Sequence, residues 1–594
     1  MAFRMCVQVL CSLINHVETV VWHFGEDVKS DKVMLERIPA PTPREDLHVL
    51  VIDNQSLVHE VVTASLHEIG IKHVENAFNA FHAKRLCESR QFDFVLLAFN
   101  VSHDKDGFHL FEELKHLNYI NDTTTVIFLS AETSPELVNC IVELQPDDFW
   151  VKPLQRNKIV TRFDYILQVR YKLHKMLHCM KVGDYSTAMY YAERQLKDPS
   201  LSEYHPRIKR LIGDCLLQLR DYDTAESYFR TLLQTIDHAW VHIGLTRSLL
   251  RQDELEEAQL IVDDLLLRPD TRFLTYDLLA QYFIEKEQFD VAYEQMKEAS
   301  RLAPRNIERN KRLWDLAKLN HDKLGQLNAV QNMAKFAKNS IHDSPQLTLN
   351  VIRSTIDLAT SLGDVEGEKY LNRAESELAE LSHQKSVRAE LGSQIDVIKS
   401  RVLCLKNDKR AAETLMKGQT TSTEGLSLED SLDKMKAFHE LGMREQCVSI
   451  LDKLRKQIEG DTFTSQVVNE YLNQESIERT EIQFTTKELK HMATVNYKEN
   501  RLLPAYNNLR QALILSPSDK QIALSLLKVI VQIHLKEELN PEQIKTAERA
   551  AKVLYQNGLS PTQSEKRDQY VRKIGIEVDT TQASELVGVI AAKA

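Results

Sequence analysis

The chain has 594 residues, too many for one hydrophobic core, and at roughly 100–200 residues per domain it divides into about three to five units. Its 43% hydrophobic and 27% charged residues exclude a disordered chain. The 75 basic and 86 acidic side chains, a formal net charge of −11, lack the basic excess that drives binding to a phosphate backbone. Only 17 glycines and 15 prolines interrupt it, so most of its length is expected to be helical.

In chain order, residues 1–46 read as an extension, poorly structured or with a short helix. Met5–Leu13 is apolar behind Arg4, but Asn15, His16 and Glu18 follow at once with no clear small-residue cleavage site, and Met34 is an alternative start. No later stretch reaches the roughly 18–20 apolar residues of a membrane-spanning helix. Cysteines at 6, 11, 87, 140, 179, 215, 404 and 447 form no C-x-x-C pair, which fits reduced thiols in a cytoplasmic protein.

After the hinge Ile38-Pro39-Ala40-Pro41-Thr42-Pro43, short apolar runs alternate with amphipathic segments. The runs are His48–Ile52, His73–Ala77, Phe94–Leu97, Thr125–Leu129 and Asp148–Val151, with helices expected near 56–69, 79–90, 107–118 and 134–144 and another from about 155. This alternation predicts an α/β doubly wound domain with a five-stranded parallel sheet, whose site lies at the carboxyl ends of the strands.

Those ends carry a resemblance. Val49-Leu50-Val51-Ile52-Asp53-Asn54-Gln55, Phe94-Val95-Leu96-Leu97-Ala98, Asp106-Gly107, Val126-Ile127-Phe128-Leu129-Ser130-Ala131 and Asp148-Phe149-Trp150-Val151-Lys152-Pro153 stand in the order and spacing of the response-regulator receiver family. The resemblance implies a pocket in which an acidic pair and an acceptor aspartate hold Mg²⁺ and take up phosphate. Here Asp53 remains, Asn54 stands beside it, and Ala98 occupies the acceptor position. A methyl group cannot be the nucleophile of an aspartyl-phosphate, and Mg²⁺ binds through carboxylates and retained waters. Ser130 and Lys152 then have no phosphoryl oxygen to hold, and Lys152 is expected to pair with Asp53. Using Asp104 or Asp106 as acceptor requires a slip in register. The resemblance also places a protein-docking face on the fourth and fifth strands, where Phe149 and Trp150 supply aromatic area; because strand neighbours alternate in direction, one of the two is alternatively core.

From about 155 onward the period is helical. Gly213 and Ala225, Ala280 and Ala292, and Ala493 and Ala505 each stand 12 apart. Ala292, Ala299 and Pro304 repeat in Ala505, Ala512 and Pro517, and Ala225, Ala258 and Ala292 follow at 33 and 34. With Gly183-Asp184-Tyr185-Ser186-Thr187-Ala188, Asp221-Tyr222-Asp223-Thr224-Ala225 and Gln288-Phe289-Asp290-Val291-Ala292, this resembles the tetratricopeptide repeat, whose period is about 34 residues. It implies an all-α superhelix of stacked hairpins. The expected boundaries are 47–168 for the receiver-like domain, 169–305 for repeats, 306–417 for helical, degenerate repeats, 418–429 for a flexible linker, 430–578 for a second repeat group and 579–594 for a tail. Gln155–Met180 lacks Gly and Pro, so the last receiver helix is expected to run on into the repeats.

His174 and His178, four apart beside Cys179, lack a third ligand, so no metal site and no cofactor are expected. No nucleotide-loop or nucleophile-elbow motif appears, which argues against an enzyme. The expectation is a non-catalytic cytoplasmic signalling adaptor of the response-regulator type. Its partners are other signalling proteins (a histidine kinase, a receiver or an effector) and a peptide or helix held in the repeat groove. The alternatives are a phospho-responsive regulator with a non-standard acceptor and a nucleic-acid-associated regulator, the second opposed by the acidic balance.

Overall fold

A computed structural model describes residues 38–576, except 39, 102–104, 122, 133, 270, 363, 458–462, 482–483, 485, 517–518 and 557–558. The segments 1–37 and 577–594, which include nearly all of the expected extension and the whole tail, lie outside the described residues, as do Asp104 and Pro517.

Five strands, β1 His48–Ile52, β2 His73–Ala77, β3 Phe94–Ala98, β4 Thr125–Ser130 and β5 Asp148–Val151, form one sheet in the order β2-β1-β3-β4-β5. β1 pairs in parallel with β2 from His48↔His73 to Ile52↔Ala77 and with β3 from Val49↔Phe94 to Ile52↔Leu97. β3 is buried along its whole length and β1 and β4 nearly so, which is why they read as unbroken apolar runs. The edge strands β2 and β5 are mixed. Helices α1 Ser56–Glu68, α2 Ala80–Ser89, α3 Gly107–His116, α4 Pro135–Glu143 and α5 Arg156–Lys172 connect or follow the strands. This is the doubly wound receiver fold. α5 buries Ile159, Phe163 and Leu167, spaced by four, and Phe163 lies 4.7 Å from the ring of Phe94. Asp93, at the head of β3, accepts from Arg170 of α5 at 2.8 Å.

The expected continuous helix beyond 155 is corrected. α5 ends at Lys172, Leu173 takes φ −97 and ψ 13, and α6 His174–Lys181 begins anew. The break keeps its hydrogen bonds, since Leu173 N–H donates to Val169 O and its carbonyl accepts from Leu177, and it places the fully buried Leu173 and Met176 in the core. Tertiary packing, rather than Gly or Pro, sets the boundary.

The body continues as α7 Tyr185–Leu196, α8 His205–Gln218, α9 Tyr222–Leu233, α10 Ala239–Arg251, α11 Leu255–Leu267, α12 Arg272–Glu285, α13 Phe289–Leu302, α14 Ile307–Leu319, α15 Lys323–Ala337, α16 Pro345–Ser361, α17 Asp364–His383, α18 Lys385–Leu405 and α19 Lys409–Met416. Then come α20 Leu428–Glu440, α21 Arg444–Gln457, α22 Phe463–Glu481, α23 Thr486–Lys498, α24 Leu502–Leu515, α25 Lys520–His534, α26 Pro541–Gln556 and α27 Pro561–Ile574. The small residues that carried the repeat signal are where close helix approach needs them: Ala225, Ala258, Ala280, Ala292, Ala299, Ala505 and Ala512 have no exposed surface.

The hairpins share a backbone turn. Arg220, Asp253, Glu287 and His321 all have positive φ, at steps of 33, 34 and 34. The next residue in each case donates its N–H to the carbonyl five residues back: Asp221 to Leu216, Glu254 to Leu249, Gln288 to Phe283 and Asp322 to Ala317. Asn407, Gly442 and Asn500 make the same turn, closed by Asp408 to Leu403, Met443 to Phe438 and Arg501 to Asn496. The turn thus recurs at His321 and Asn407, within the stretch whose side-chain pattern is weak.

By contacts the chain forms two units, one drawn from Met1–Leu97, Tyr119–Ile127 and Lys152–Ser248, the other from Ala98–Asn118, Phe128–Val151 and Leu249–Ala594. In the second, residues 418–427 form a loop that is tied down: Lys434 Nζ donates to the carbonyls of Thr420 and Ser422, and Lys453 Nζ to that of Thr421. The expected flexible linker is therefore an anchored loop, and α20 starts at Leu428, inside its expected range. Beside it a buried ionic seam joins α16, α18 and α20. Arg401, 2% exposed, meets Asp357 at 2.8 Å, Asp433 at 2.6 Å and Glu440 at 3.0 Å, while Arg353 pairs with Asp430 and Asp433, and Lys436 meets Asp357 at 2.5 Å. Burial raises the Asp357 pKa, but Lys436 and Arg401 outweigh it and hold this carboxyl far below the usual range.

Arg401→Met would leave three carboxylates facing one another without their shared cation, an uncompensated buried charge that costs about 3–5 kcal/mol. The expected outcome is a large drop in the denaturant midpoint of the full chain, measured by circular dichroism.

Candidate functional site

The carboxyl ends of β1, β3, β4 and β5 place the residues of the implied pocket. Asp53 follows β1 with no exposed surface, and its N–H donates to Ala77 O, the end of β2, at 3.0 Å. Its Oδ1 accepts from Gln55 N–H at 3.0 Å. Lys152, just past β5, brings Nζ to 2.6 Å from Asp53 Oδ2. Nζ lies off the hydrogen-bonding direction of that oxygen, so the contact is an ion pair. Asn54 is exposed.

Ala98 ends β3 and is fully buried. The chain then doubles back: Gly107 N–H donates to Phe99 O at 2.6 Å, and a Cβ on Gly107 would lie 2.1 Å from Ala98 O. Glycine is required there by close backbone approach. Ser130, at the end of β4, is 2% exposed, and its Oγ both donates to Glu132 O and accepts from Glu132 N–H.

The residues do not fit the Mg²⁺ that the receiver resemblance implies. Of the carboxylates such an ion needs, Asp53 alone is present at its position, with one oxygen on a backbone N–H and the other against an ammonium. Asp106 is committed elsewhere, since Oδ1 accepts from His109 N–H to cap α3 and Oδ2 pairs with Arg305.

Trp150 takes the core alternative: it is 4% exposed, and its indole N–H donates to Asp148 Oδ2 at 2.7 Å. Of the two expected docking aromatics, only Phe149 retains partial exposure. His174 and His178 lie 6.3 Å apart by ring centroids, while Cys179 is buried.

Sequence reasoning missed the residues that engage this end of the receiver fold. His59 of α1 is buried, with Nε2 2.8 Å from Asp53 O and Nδ1 2.8 Å from Asn76 Oδ1. It ties α1 to the ends of β1 and β2.

Within the second unit, α4 and the loop after β3 are fastened to the loop between α13 and α14. Arg309, 5% exposed, grips Glu143 of α4 with both terminal nitrogens and meets Asp277 of α12 at 3.2 Å. Asn306 also donates to Glu143, and Asn139 Nδ2 donates to Leu302 O at 3.3 Å. Arg305, paired with Asp106, stands 5.0 Å over the ring of Phe99, the residue after Ala98, and 5.6 Å over Phe336. Burial raises the pKa of Glu143 against the pull of Arg309. The only signal available was a charged cluster, Arg305-Asn306-Ile307-Glu308-Arg309, which resembles any solvated helix start.

Residues 49–164 match the family model described as the response regulator receiver domain. The chain therefore carries a receiver domain joined to a body of helical hairpins. Among solved structures, it is similar to the chemotaxis response regulator CheY4 of Vibrio cholerae, at 21% identity over 20% of this chain and 98% of that one, with a TM-score of 0.19. It is also similar to a chain of Naa15/Naa10 bound to HypK-THB, at 15% identity over 62% of this chain and 54% of that one, with a TM-score of 0.29. This chain thus spans about half the length of that relative. A third likeness is to the APC/C hetero-tetramer Cut9–Hcn1, at 10% identity over 69% of this chain and 98% of that one, with a TM-score of 0.22. No curated protein matches the chain. Among the described residues, no helix is long and apolar enough to cross a membrane.

Lys152→Met would strand the buried Asp53 carboxylate and is expected to cost about 3–5 kcal/mol, whereas the pair Asp53→Asn/Lys152→Met should cost clearly less than the sum of its single changes. Chemical denaturation of the four proteins of this cycle checks it. Gly107→Ala should destabilise by about 1–3 kcal/mol through its clash with Ala98 O. Gly418→Ala, where a Cβ meets nothing within 4 Å, should be neutral in the same melts.

Proposed function

We propose that this chain is a non-catalytic cytoplasmic signalling adaptor of the response-regulator type. Its receiver domain, residues 47–168, does not take up phosphate, and its body, 169–305, 306–417 and 430–578, binds other proteins. The observation that carries the reading is the occupied pocket. Asp53 is neutralised by Lys152, and a buried methyl stands where the acceptor carboxylate would be.

A receiver with this pocket has lost the means of being switched by phosphate, because the group that Ser130 and Lys152 would detect cannot be attached. The pocket residues Asp53, Asn54, Ala98, Ser130 and Lys152 then serve the fold. The Arg309–Glu143 and Arg305–Asp106 pairs support a second element of the reading: α4, on the face that a receiver would offer to a partner, is already held by the chain's own hairpins. The domain acts as a fixed brace, and partner binding falls to the helical body. The partners are other signalling proteins, whether kinase, receiver or effector, engaged through a peptide or helix.

Incubation of the purified chain with a small phosphodonor and Mg²⁺, read on a phosphate-affinity gel, should give no retarded band. Ala98→Asp with Asn54→Asp tests whether the pocket alone is at fault, and a gain of retardation is expected only if Lys152 can release Asp53. Retardation of the unaltered chain would overturn the reading in favour of a phospho-responsive regulator with another acceptor.

A further inference from the structure

In the second unit two lysines close on one hydroxyl-rich loop, residues 418–427. Lys434 of α20, 6% exposed, donates from Nζ to the carbonyls of Thr420 at 3.2 Å and Ser422 at 3.3 Å. Lys453 of α21, which is exposed, donates from Nζ to Thr421 O at 2.9 Å and to Thr421 Oγ1 at 3.1 Å. Two ammoniums thus grip three successive residues, with Thr421 in the middle. They also feel one another: burial lowers the Lys434 pKa, Asp430 opposes this, and the charge of Lys453 adds to it.

Among the described residues, both lysines make the hydrogen bonds just given and no ion pair. The acidic side chains in the first turn of α20 are already matched, Asp430 with Arg353 and Glu429 with Lys318 at 3.6 Å. Lys318 also meets Asp315 at 2.9 Å, and Lys436 meets Asp357 at 2.5 Å, so the other buried ammoniums of this region face carboxylates. Lys434 faces neutral carbonyls instead. Carbonyl dipoles solvate a charge without neutralising it, and a surplus of positive charge is left beside the loop.

We propose that Thr421 is a phosphorylation site whose phosphate is clamped by Lys434 and Lys453. Of the loop's hydroxyls, that of Thr421 already touches an ammonium, and the residue is half-buried. Thr423 is buried, while Thr420 Oγ1 and Ser422 Oγ accept from the N–H groups of Ser422 and Glu424. Glu424, exposed three residues beyond Thr421, supplies the charge that an acid-directed protein kinase selects. In the transfer, Thr421 Oγ1 attacks the γ-phosphorus of ATP bound to that kinase. The new O–P bond forms as the bond to the bridging oxygen breaks, ADP leaves with the electron pair, and the hydroxyl proton passes to the base of the kinase. The product carries about −1.5 to −2 charge and three acceptor oxygens, which gives both ammoniums the counter-charge they lack. The loop is thereby fastened more tightly to α20 and α21. The inference goes beyond the adaptor reading and does not involve the receiver pocket.

Incubation of the full chain with ATP, Mg²⁺ and a kinase of the casein kinase 2 type, followed by peptide mass spectrometry, should place a phosphate on Thr421. Thr421→Val should lose that phosphate. A glutamate-specific protease then reads the clamp as the rate of cleavage after Glu424. Phosphate should slow this cut about threefold or more, because each charge-assisted bond lowers the population of the opened loop. A phosphate that merely spoiled recognition by the protease would slow the cut equally in Lys453→Gln, an exposed position whose change leaves the fold intact. With the clamp as cause, the ratio of rates in that variant should return towards one. Absence of phosphate from Thr421 would overturn the proposal, as would faster cleavage of the modified loop or equal slowing in both backgrounds.

Discussion

A carboxylate with no exposed surface must find a counter-charge, and in the receiver domain that requirement organises everything else. Asp53 sits at the end of a buried parallel strand, where the sheet provides backbone N–H groups but no cation. In a receiver fold the compensating charge comes from a metal ion or from the lysine after the fifth strand. With Asn54 and Ala98 unable to help hold the metal, the lysine remains, and the 2.6 Å contact places it there. With that pair in place the Asp53 carboxylate is electrostatically compensated by the chain's own residues.

The same requirement appears at Arg309 and Arg401. Each is almost wholly buried, each is surrounded by two or three carboxylates from different helices, and each ties together elements far apart in sequence. Buried ion pairs are weak sources of net stability, because desolvation offsets most of the attraction. Their effect is on choice of arrangement: helices that slid past one another would leave a buried charge without its partner. The hairpins are alike and could stack in several registers, so a seam of unlike charges between α16, α18 and α20 selects one. The anchored loop at 418–427 follows from that selection, since its carbonyls are reached by Lys434 and Lys453 from the fixed helices.

Much of this was legible from residues, and the part that was not has a common physical cause. The three central strands were readable because burial on both faces demands unbroken apolar runs, and the repeats because only small side chains permit close helix contact at Ala225, Ala258 and Ala292. The left-handed residue of each turn was hidden because Arg220, Asp253, Glu287 and His321 stand where glycine would have advertised it. The break at Leu173 was hidden because packing, not a helix breaker, causes it. Arg305, Arg309, Arg353 and Arg401 were hidden because a charge buried by a partner from another helix looks, in one dimension, like a charge facing water. Pairing is a three-dimensional property, and composition cannot report it.

Pairing of this kind closes the buried arginines to outside ligands. Arg309 and Arg401 are spent inside the fold: every terminal nitrogen faces an internal acceptor, so no external ligand can compete without first breaking a buried pair.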